Sequence, residues 1–204
     1  MDERQVVRSV VLPAVRRDAA IESVLGERRS VREFSPAALR LSEVAWLLWA
    51  GQGIVGQQGR RTAPSAGGLH PLELYVLAGA VDGLSAAVYH YAVTEHELEE
   101  VIPGDPRPAL AAAALGQEFL AKAPATIVIA GDVQRTASKY GDRAVRYVHM
   151  EVGAVAQNIS LQAAALELGC VFVGAFADSR VKKVLGLPGT ERPLGLMPVG
   201  RPAG

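Results

Sequence analysis

The chain has 204 residues, and its 21 Lys and Arg balance its 21 Asp and Glu, so the formal net charge is zero. A neutral chain has no overall field to attract nucleic acid or an anionic membrane, so we expect small molecules and a second copy of the chain as partners. Half of the residues are hydrophobic, which predicts one domain over residues 1–204, with 1–17 as an N-terminal arm. A lone cysteine, Cys170, excludes an intramolecular disulfide, and without a long apolar run we expect a cytoplasmic location.

The first part of the chain predicts two helices and a loop. Asp18–Arg28 has the apolar spacing of an amphipathic helix. Ser42 has the side chain of an N-cap residue and predicts a second helix that runs to about Ala50. Glycines recur over Gly51–Arg61, which indicates a flexible, basic loop.

The rest of the chain alternates between strand and helix patterns. Strands are predicted at Leu72–Leu77, Ala87–Tyr91, Thr126–Ala130, Val171–Val173 and Leu194–Val199. The alanines at Ala109–Ala114 favour a helix. A long helix is predicted over Arg143–Leu168, capped by Asp142 and ended by Gly169. Its apolar residues surround most of the helix, so we expect it to be buried against the sheet and a second subunit, in an α+β or α/β fold.

Two patterns suggest sites that their context excludes. Gly51–Gly56 has the glycine spacing of a dinucleotide-binding loop, but a helix precedes it where that loop requires a strand. The four histidines lack the paired helical spacing and the cysteine partners of a metal site. We therefore expect neither a Rossmann fold nor a metal centre.

A basic cluster follows the first predicted helix. Arg28, Arg29 and Arg32 surround the hydroxyl of Ser30. Guanidinium groups bind phosphate oxygens through two hydrogen bonds at once, so the cluster is a candidate phosphate site. The alternative is a basic helix end that interacts favourably with the helix dipole.

A proline-bounded loop is the second candidate. Pro64–Pro71 (PSAGGLHP) fixes both ends with proline and places small residues between them, which lets backbone amides approach a flat ligand. An ordinary surface loop has a similar composition, so the sequence leaves both interpretations open.

Three shorter segments are also candidates. Lys139 and Tyr140 place a cation beside a phenol, a combination that suits a general base, although a solvated pair is the alternative. Gly174 and Ala175 form a turn after an apolar strand, against a ligand or simply at a strand end. Arg201 adds a cation near the C-terminus.

Together these motifs resemble the FMN-dependent nitroreductase superfamily. Within it the chain is most similar to the SagB-type dehydrogenases, a branch that includes the azoline oxidases. The resemblance extends from about Arg28 to Arg201, and its most specific parts are RRSVR, PSAGGLHP, the segment Lys139–Ile159, VGAF and the final VGRP.

The resemblance implies an α+β fold with a central mixed β-sheet, a long buried helix and a domain-exchanged homodimer that binds FMN at its interface. Arg28, Arg29, Ser30 and Arg32 match the element that binds the FMN phosphate and the pyrimidine edge of the flavin. Pro64, Ser65, Ala66, Gly67 and Leu69 match a loop that covers the flavin from the partner subunit, Gly174 and Ala175 match a turn beside the ring, and Arg201 matches a cation on the phosphate. Lys139 and Tyr140 stand where azoline oxidases have the pair proposed as their base.

Three functions follow as hypotheses. The first is an FMN-dependent oxidoreductase that moves hydride between flavin N5 and a small organic substrate, with NAD(P)H as a possible donor. The second is an azoline dehydrogenase that uses Lys139–Tyr140 as base. The third is a flavin-binding or storage protein without catalysis.

Overall fold

The computed structural model describes residues 8–13, 21–56 and 59–204. The described helices are α1 (Ile21–Glu27), α2 (Leu41–Gln52), α3 (Arg107–Ala113), α4 (Phe119–Lys122), α5 (Val133–Tyr140), α6 (Ala144–Ala165) and α7 (Asp178–Leu185). The strands are β1 (Arg8–Val11), β2 (Leu39–Arg40), β3 (Leu72–Ala78), β4 (Val81–Asp82), β5 (Ala87–Ala92), β6 (Glu97–Pro103), β7 (Ala125–Gly131), β8 (Gly169–Cys170) and β9 (Arg192–Gly200).

The central sheet has seven strands in the order β1-β6-β5-β3-β7-β9-β8. Each pair of neighbouring strands in it is antiparallel. The expected α+β class with a central sheet and a long helix is therefore confirmed. Within the described residues, parallel pairing, which the expectation of a mixed sheet required, is confined to a bridge between Ser30 and Cys170 and to the small β2–β4 sheet.

Helices cover both faces of this sheet. Helices α2 and α6 share one core with alternate residues of β3 and β7, such as Leu74 and Ile127. On the other face, α3, α4 and α7 pack against the intervening residues, such as Tyr75 and Val128. Because both faces are covered, β7 is buried along its whole length.

Four predicted strands coincide with β3, β5, β7 and β9 to within two residues at each end. The strand predicted at Val171–Val173 is wrong, because β8 ends just before it, at Cys170, and Val173 makes only an isolated bridge to Leu196. The predicted N-terminal arm contains an edge strand, because Arg8–Val11 pairs with β6. Neither β1 nor β6 was predicted, since three glutamates interrupt the apolar pattern of β6.

The first two helices differ from prediction at their ends. In the described residues α1 begins at Ile21, and the predicted start at Asp18 lies outside them. The predicted N-cap Ser42 is inside α2, and the cap position belongs to Arg40. The backbone N–H of Arg40 donates to Glu43 Oε2 at 2.8 Å, so a glutamate within the first turn replaces the predicted cap.

The long helix α6 is confirmed, but it is shorter than predicted. It begins at Ala144 without a side-chain cap, because Asp142 belongs to the preceding 3-10 turn. It ends at Ala165, one turn before the predicted end at Gly169. Glu167, just beyond the observed end, takes a positive φ of 57°. Residues of one side, including Val155, are buried, whereas Met150 is 63% exposed in the single chain. None of the described helices is long and apolar enough to cross a membrane.

The glycine-rich segment continues α2 and then turns. Gly51 is buried in the helix, where a β-carbon would lie 3.1 Å from Cδ1 of Ile159 on α6. Ile54 and Arg61 then form an antiparallel bridge. A helix therefore precedes these glycines, as predicted, and the geometry of a dinucleotide-binding loop is absent from this described segment.

The C-terminal strand is tied to α2 by a buried ion pair. Arg201 donates to Glu43 Oε1 at 2.8 Å and to the carbonyl of Ala38 at 3.1 Å. Burial alone would raise the pKa of Glu43, but hydrogen bonds from Arg40 and the charge of Arg201 lower it below its ordinary value of 4.5. The Glu43 side chain is 1% exposed, so its charge depends on these two cations.

We predict that Ile159→Ala lowers the free energy of unfolding by about 2–5 kcal/mol, because it opens a cavity where α6 meets α2 and the sheet. Ile159→Val, which keeps the branched shape, should cost only about 0.5–1.5 kcal/mol. Urea unfolding at equal m-values measures both. A loss for the alanine variant no larger than that for valine would contradict this packing.

We predict that Arg201→Ala costs about 1–2 kcal/mol at neutral pH, a value reduced for the partial exposure of this arginine. The pKa of Glu43 is lowered in the folded protein, so its stabilising contribution exists above pH 4.5 and disappears as pH falls through the lowered pKa. The difference in Tm between wild type and variant should therefore shrink in acid. A difference that is constant with pH would exclude the ion pair as its cause, and Arg180→Ala, at an exposed position of α7, is the control.

Candidate functional site

The basic cluster lies at one edge of the sheet. Helix α1 ends at Glu27, and the chain continues beside β8, where the backbone N–H of Val31 donates to the carbonyl of Cys170 at 2.9 Å. Gly169 allows this close approach, because a β-carbon there would lie 2.6 Å from that of Val31. The sheet edge therefore fixes the backbone of the cluster.

A cavity of about 260 Å³ opens beside this segment. It is lined by Glu27, Arg28, Arg29, Val31, Ser160, Ala164, Glu167, Leu168, Cys170 and Pro202. Ser30 and Arg32 are exposed and do not line it. Of the four predicted residues, Arg28 and Arg29 therefore line the cavity, whereas Ser30 and Arg32 do not.

Cys170 is buried at the base of this cavity. Burial raises the pKa of its thiol, and the hydroxyl of Ser160 and the charge of Arg28 only partly oppose that shift. The thiol lies 3.7 Å from Ser160 Oγ. A thiol held neutral in this way is a packing residue rather than a nucleophile.

The predicted loop Pro64–Pro71 is a tight turn. Ala66–Gly68 form one 3-10 turn, in which Gly67 and Gly68 have φ values of 64° and 67°. His70 also has a positive φ, 45°, which a non-glycine residue rarely adopts. The serine closes the turn, because the N–H of His70 donates to Ser65 Oγ at 2.8 Å.

Lys139 and Tyr140 lie against this turn. They form the last residues of α5, and a β-carbon on Gly67 would lie 2.8 Å from the Tyr140 hydroxyl oxygen and 3.0 Å from Lys139 Nζ. Lys139 Nζ is also 5.5 Å from the centre of the Tyr140 ring. Two motifs that are 72 residues apart in the sequence (67 to 139) therefore meet in the fold, and only glycine fits between them.

Sequence reasoning missed the residues that hold this turn. On α6, Glu151 accepts the N–H of Ala66 at 2.7 Å, and Asn158 donates to the carbonyl of Thr62 at 3.3 Å. Tyr147 packs its ring against Tyr140 at 5.1 Å. The spacing of 147, 151 and 158 puts these polar side chains on one stripe of α6. This spacing was a signal in the sequence, but we interpreted the helix as apolar around most of its surface.

Arg135 provides a second attachment, from α5. It donates to the carbonyl of His70 at 2.6 Å and to Glu73 on β3 at 2.9 Å. Glu73 also contacts the buried ring of His90. Burial would raise the pKa of Glu73, but the hydrogen bond and charge of His90, together with Arg135, lower it. The end of the turn is therefore held to the sheet by a charged network.

The turn Gly174–Ala175 lies elsewhere. Both residues are exposed, after the bridge between Val173 and Leu196. The carbonyl of Ala175 accepts from Gln117 Nε2 at 2.8 Å. None of the described hydrogen bonds joins this turn to the Gly67 turn or to the basic cluster.

Apart from Gly174, Ala175 and Arg201, the predicted residues form two groups on opposite sides of α6. The first, the arginine group, contains Arg28–Arg32 and contacts the cavity that Ser160 lines. The second, the Gly67 group, contains Pro64–Pro71 with Lys139 and Tyr140, and is held by Glu151. Residues 151 and 160 are nine apart, which in an α-helix means about 14 Å along the axis and about half a turn around it. Within one chain the two groups do not face the same space.

Comparison with known proteins shows the family to which these motifs belong. The Nitroreductase family model matches residues 25–201. The chain is 46% identical over 181 residues to a protein of Methanocaldococcus jannaschii named as a nitroreductase, covering 89% of this chain and 90% of that protein. A nitroreductase structure from Ralstonia eutropha has a TM-score of 0.84 at 28% identity and covers 97% of this chain and 90% of its own. One from Anabaena variabilis has a TM-score of 0.79 at 32% identity, with 90% of this chain matching only 38% of that longer one.

Two further structures are similar in fold alone. One is the Escherichia coli microcin synthetase complex, with a TM-score of 0.78 and 24% identity over 100% of this chain and 79% of the matched one. The other is the NADPH:FMN oxidoreductase of Vibrio harveyi, with a TM-score of 0.66 and 21% identity over 90% of this chain and 69% of that one. The resemblance stated from the motifs is confirmed at the level of the family. The chain belongs to the nitroreductase family, and it is an oxidoreductase on that ground.

Proposed function

We propose that this protein is an FMN-dependent oxidoreductase, a homodimer whose flavin site is divided between two chains, and that it acts on a small organic substrate. The observation that carries the proposal is the division of the family motifs into two groups on opposite sides of α6. Each group alone is half of a flavin site. A second copy of the chain would bring the arginine group of one protomer to the Gly67 group of the other.

The arginine group fits the phosphate of FMN. Arg32 and Ser30 are exposed, two residues apart on a backbone that β8 fixes. A guanidinium and a hydroxyl held in this way match the oxygens of a dianion. Glu27 and Glu167 line the neighbouring cavity, so we place the phosphate on the Ser30–Arg32 side, away from these carboxylates. Arg201 is held in an ion pair with Glu43, so its charge would attract the phosphate from a distance rather than through a direct contact.

The Gly67 group fits a flat ring. Its turn has no side chain at Gly67 and Gly68 and only a methyl group at Ala66, so backbone atoms can come within contact distance of a planar ligand. The hydrogen bonds to Glu151, Ser65 and Arg135 keep the turn rigid. FMN, when bound, supplies the hydride-accepting and hydride-donating chemistry. Gly174 and Ala175 are proposed to contact the same ring.

The shared fold of the Vibrio harveyi NADPH:FMN oxidoreductase supports FMN as the cofactor and NAD(P)H as a candidate donor. The M. jannaschii protein, which is named as a nitroreductase and is similar over nearly its whole length, supports an oxidoreductase. A storage role is the competing outcome. A protein that retains FMN but is reduced by no donor would have that role.

A second function is favoured by the contact between Lys139, Tyr140 and Gly67. The Tyr140 hydroxyl and Lys139 Nζ both lie at the position of Gly67, so they would act together as the base that removes a proton from a substrate carbon. FMN, when bound, would accept the hydride from the adjacent substrate atom, so that a single bond becomes a double bond. This is the dehydrogenation of an azoline-like ring, and the fold of the microcin synthetase complex supports it as an alternative.

We predict that purified protein shows a flavin absorption spectrum and that Arg32→Ala lowers its FMN affinity about tenfold or more, through loss of a charge-assisted hydrogen bond. Stability without flavin should change by less than about 0.5 kcal/mol, since Arg32 is exposed. FMN release on dilution and thermal unfolding of the apoprotein measure the two effects. Arg180→Ala is the matched control. Equal FMN loss in both variants would remove Arg32 from the site.

We predict that Tyr140→Phe keeps its FMN but loses turnover of a proton-donating substrate. We also predict that mixing it with Arg32→Ala restores activity. If each site takes one group from each chain, about a quarter of all sites are intact in a random mixture of equal amounts of the two variants. If both groups served the same chain's site, every site would carry a defect and mixing would restore nothing.

The mixing experiment has internal controls. Each variant alone, taken through the same subunit exchange at an FMN concentration that fills the wild-type site but not the Arg32→Ala site, defines the background. Unchanged turnover of Tyr140→Phe alone would remove the phenol from the mechanism and leave the first function standing. Sedimentation of the wild type checks that a dimer exists to exchange.

A further inference from the structure

The contact between Glu151 and Ala66 is buried and joins distant parts of the chain. Glu151 lies in the middle of α6 and is 6% exposed. Its Oε1 accepts the N–H of Ala66 at 2.7 Å, across 85 residues of sequence. A carboxylate loses favourable hydration when it is buried, so it is retained in such a place only with good hydrogen-bond partners. The backbone of the Gly67 turn supplies one.

The serine before the turn extends this contact. Burial raises the pKa of Glu151, and hydrogen bonds from the N–H of Ala66 and the hydroxyl of Ser65 oppose that shift. Ser65 Oγ in turn accepts the N–H of His70 at 2.8 Å. One carboxylate therefore orders both the start of the turn, at Ala66, and its end, at His70.

The other side of the turn is set by the same helix. Tyr147, one helical turn before Glu151, packs edge-on against the ring of Tyr140 at 5.1 Å. Tyr140 and Lys139 then contact the position of Gly67. Residues four apart in a helix lie side by side, so α6 holds the turn with one residue and the Lys139–Tyr140 pair with its neighbour.

We infer that Glu151 is a positioning residue, which fixes the Gly67 turn against Lys139 and Tyr140 by accepting the Ala66 N–H. It does not touch the reacting atoms in this role. The inference rests on the proposed function only where it predicts that changes at Glu151 alter turnover. The positioning itself is a property of the chain without ligand.

Three variants of Glu151 separate the effect of side-chain length from the effect of side-chain charge. Glu151→Gln keeps an oxygen at the same distance and loses the charge, so the Ala66 N–H keeps its acceptor. Glu151→Asp keeps the charge but is one methylene shorter, so the acceptor is withdrawn. Glu151→Ala removes the acceptor altogether. The matched control is Glu118→Ala, at a glutamate whose side chain is 84% exposed.

Amide hydrogen exchange of the protein without added substrate is the primary measurement. We expect the Ala66 amide to exchange about tenfold faster or more in the Asp and Ala variants, because one hydrogen bond is lost. It should exchange at close to the wild-type rate in the Gln variant and in the control. The Ile127 and Val128 amides in β7 should stay protected in each folded variant. This pattern is independent of flavin binding.

Turnover is the second measurement. With the donor that reduces the wild type, we expect the Asp variant to lose about tenfold in kcat with a smaller change in KM, and the Gln variant to retain most of the activity. If Ala66 exchanges no faster in Glu151→Asp than in wild type, or if Gln and Asp behave alike, the inference is wrong. If exchange follows the expected pattern but no variant, nor the wild type, binds FMN, then the proposed function fails and the positioning role stands. Should the Ala variant not fold, the comparison of Gln with Asp decides.

Discussion

The central helix α6 constrains the rest of the structure, because it must satisfy different neighbours around its circumference. Its apolar residues, such as Val155 and Ile159, pack against α2 and the sheet. The stripe of Tyr147, Glu151 and Asn158 binds the segment from Thr62 to Ala66 and the end of α5. Ser160 and Ala164 line the cavity beside the basic cluster. A rotation of the helix by one residue would break all three sets of contacts, so the helix register fixes where each motif lies.

The sequence could predict the parts of the fold that local patterns determine. Strands β3, β5, β7 and β9 are apolar runs, and α6 is long enough to be recognised without knowing its partners. The predicted caps were wrong, because Arg40 with Glu43 and the turn at Glu167 perform the functions that we assigned to Ser42 and Gly169. Helix α6 begins without the side-chain cap that we assigned to Asp142. Strands β1 and β6 were missed because their pairing, rather than their composition, makes them strands.

The sequence motifs predicted which residues belong to the candidate site, but not which of those residues touch each other. The motifs identified the Gly67 turn and Lys139–Tyr140 separately, but no local pattern indicates that they touch. The supporting residues were missed because their partners are far away in the chain: 85 residues separate Ala66 from Glu151, and 158 separate Glu43 from Arg201. A buried glutamate in a long helix was nevertheless visible in the sequence. Because burying a carboxylate is costly, such a residue predicts a specific partner even where the partner cannot be named.

The division of the motifs on opposite sides of α6 links cofactor retention to assembly. If a flavin site requires the arginine group of one chain and the Gly67 group of another, only the dimer can bind FMN tightly. By mass action, FMN then stabilises the dimer, and the stabilisation rises with the logarithm of the ratio of the FMN concentration to its dissociation constant. Among the described residues, β8 holds the backbone of the arginine group, and Glu151, Ser65 and Arg135 hold the Gly67 group. The backbones of both halves would therefore be in place in each chain before the partner arrives.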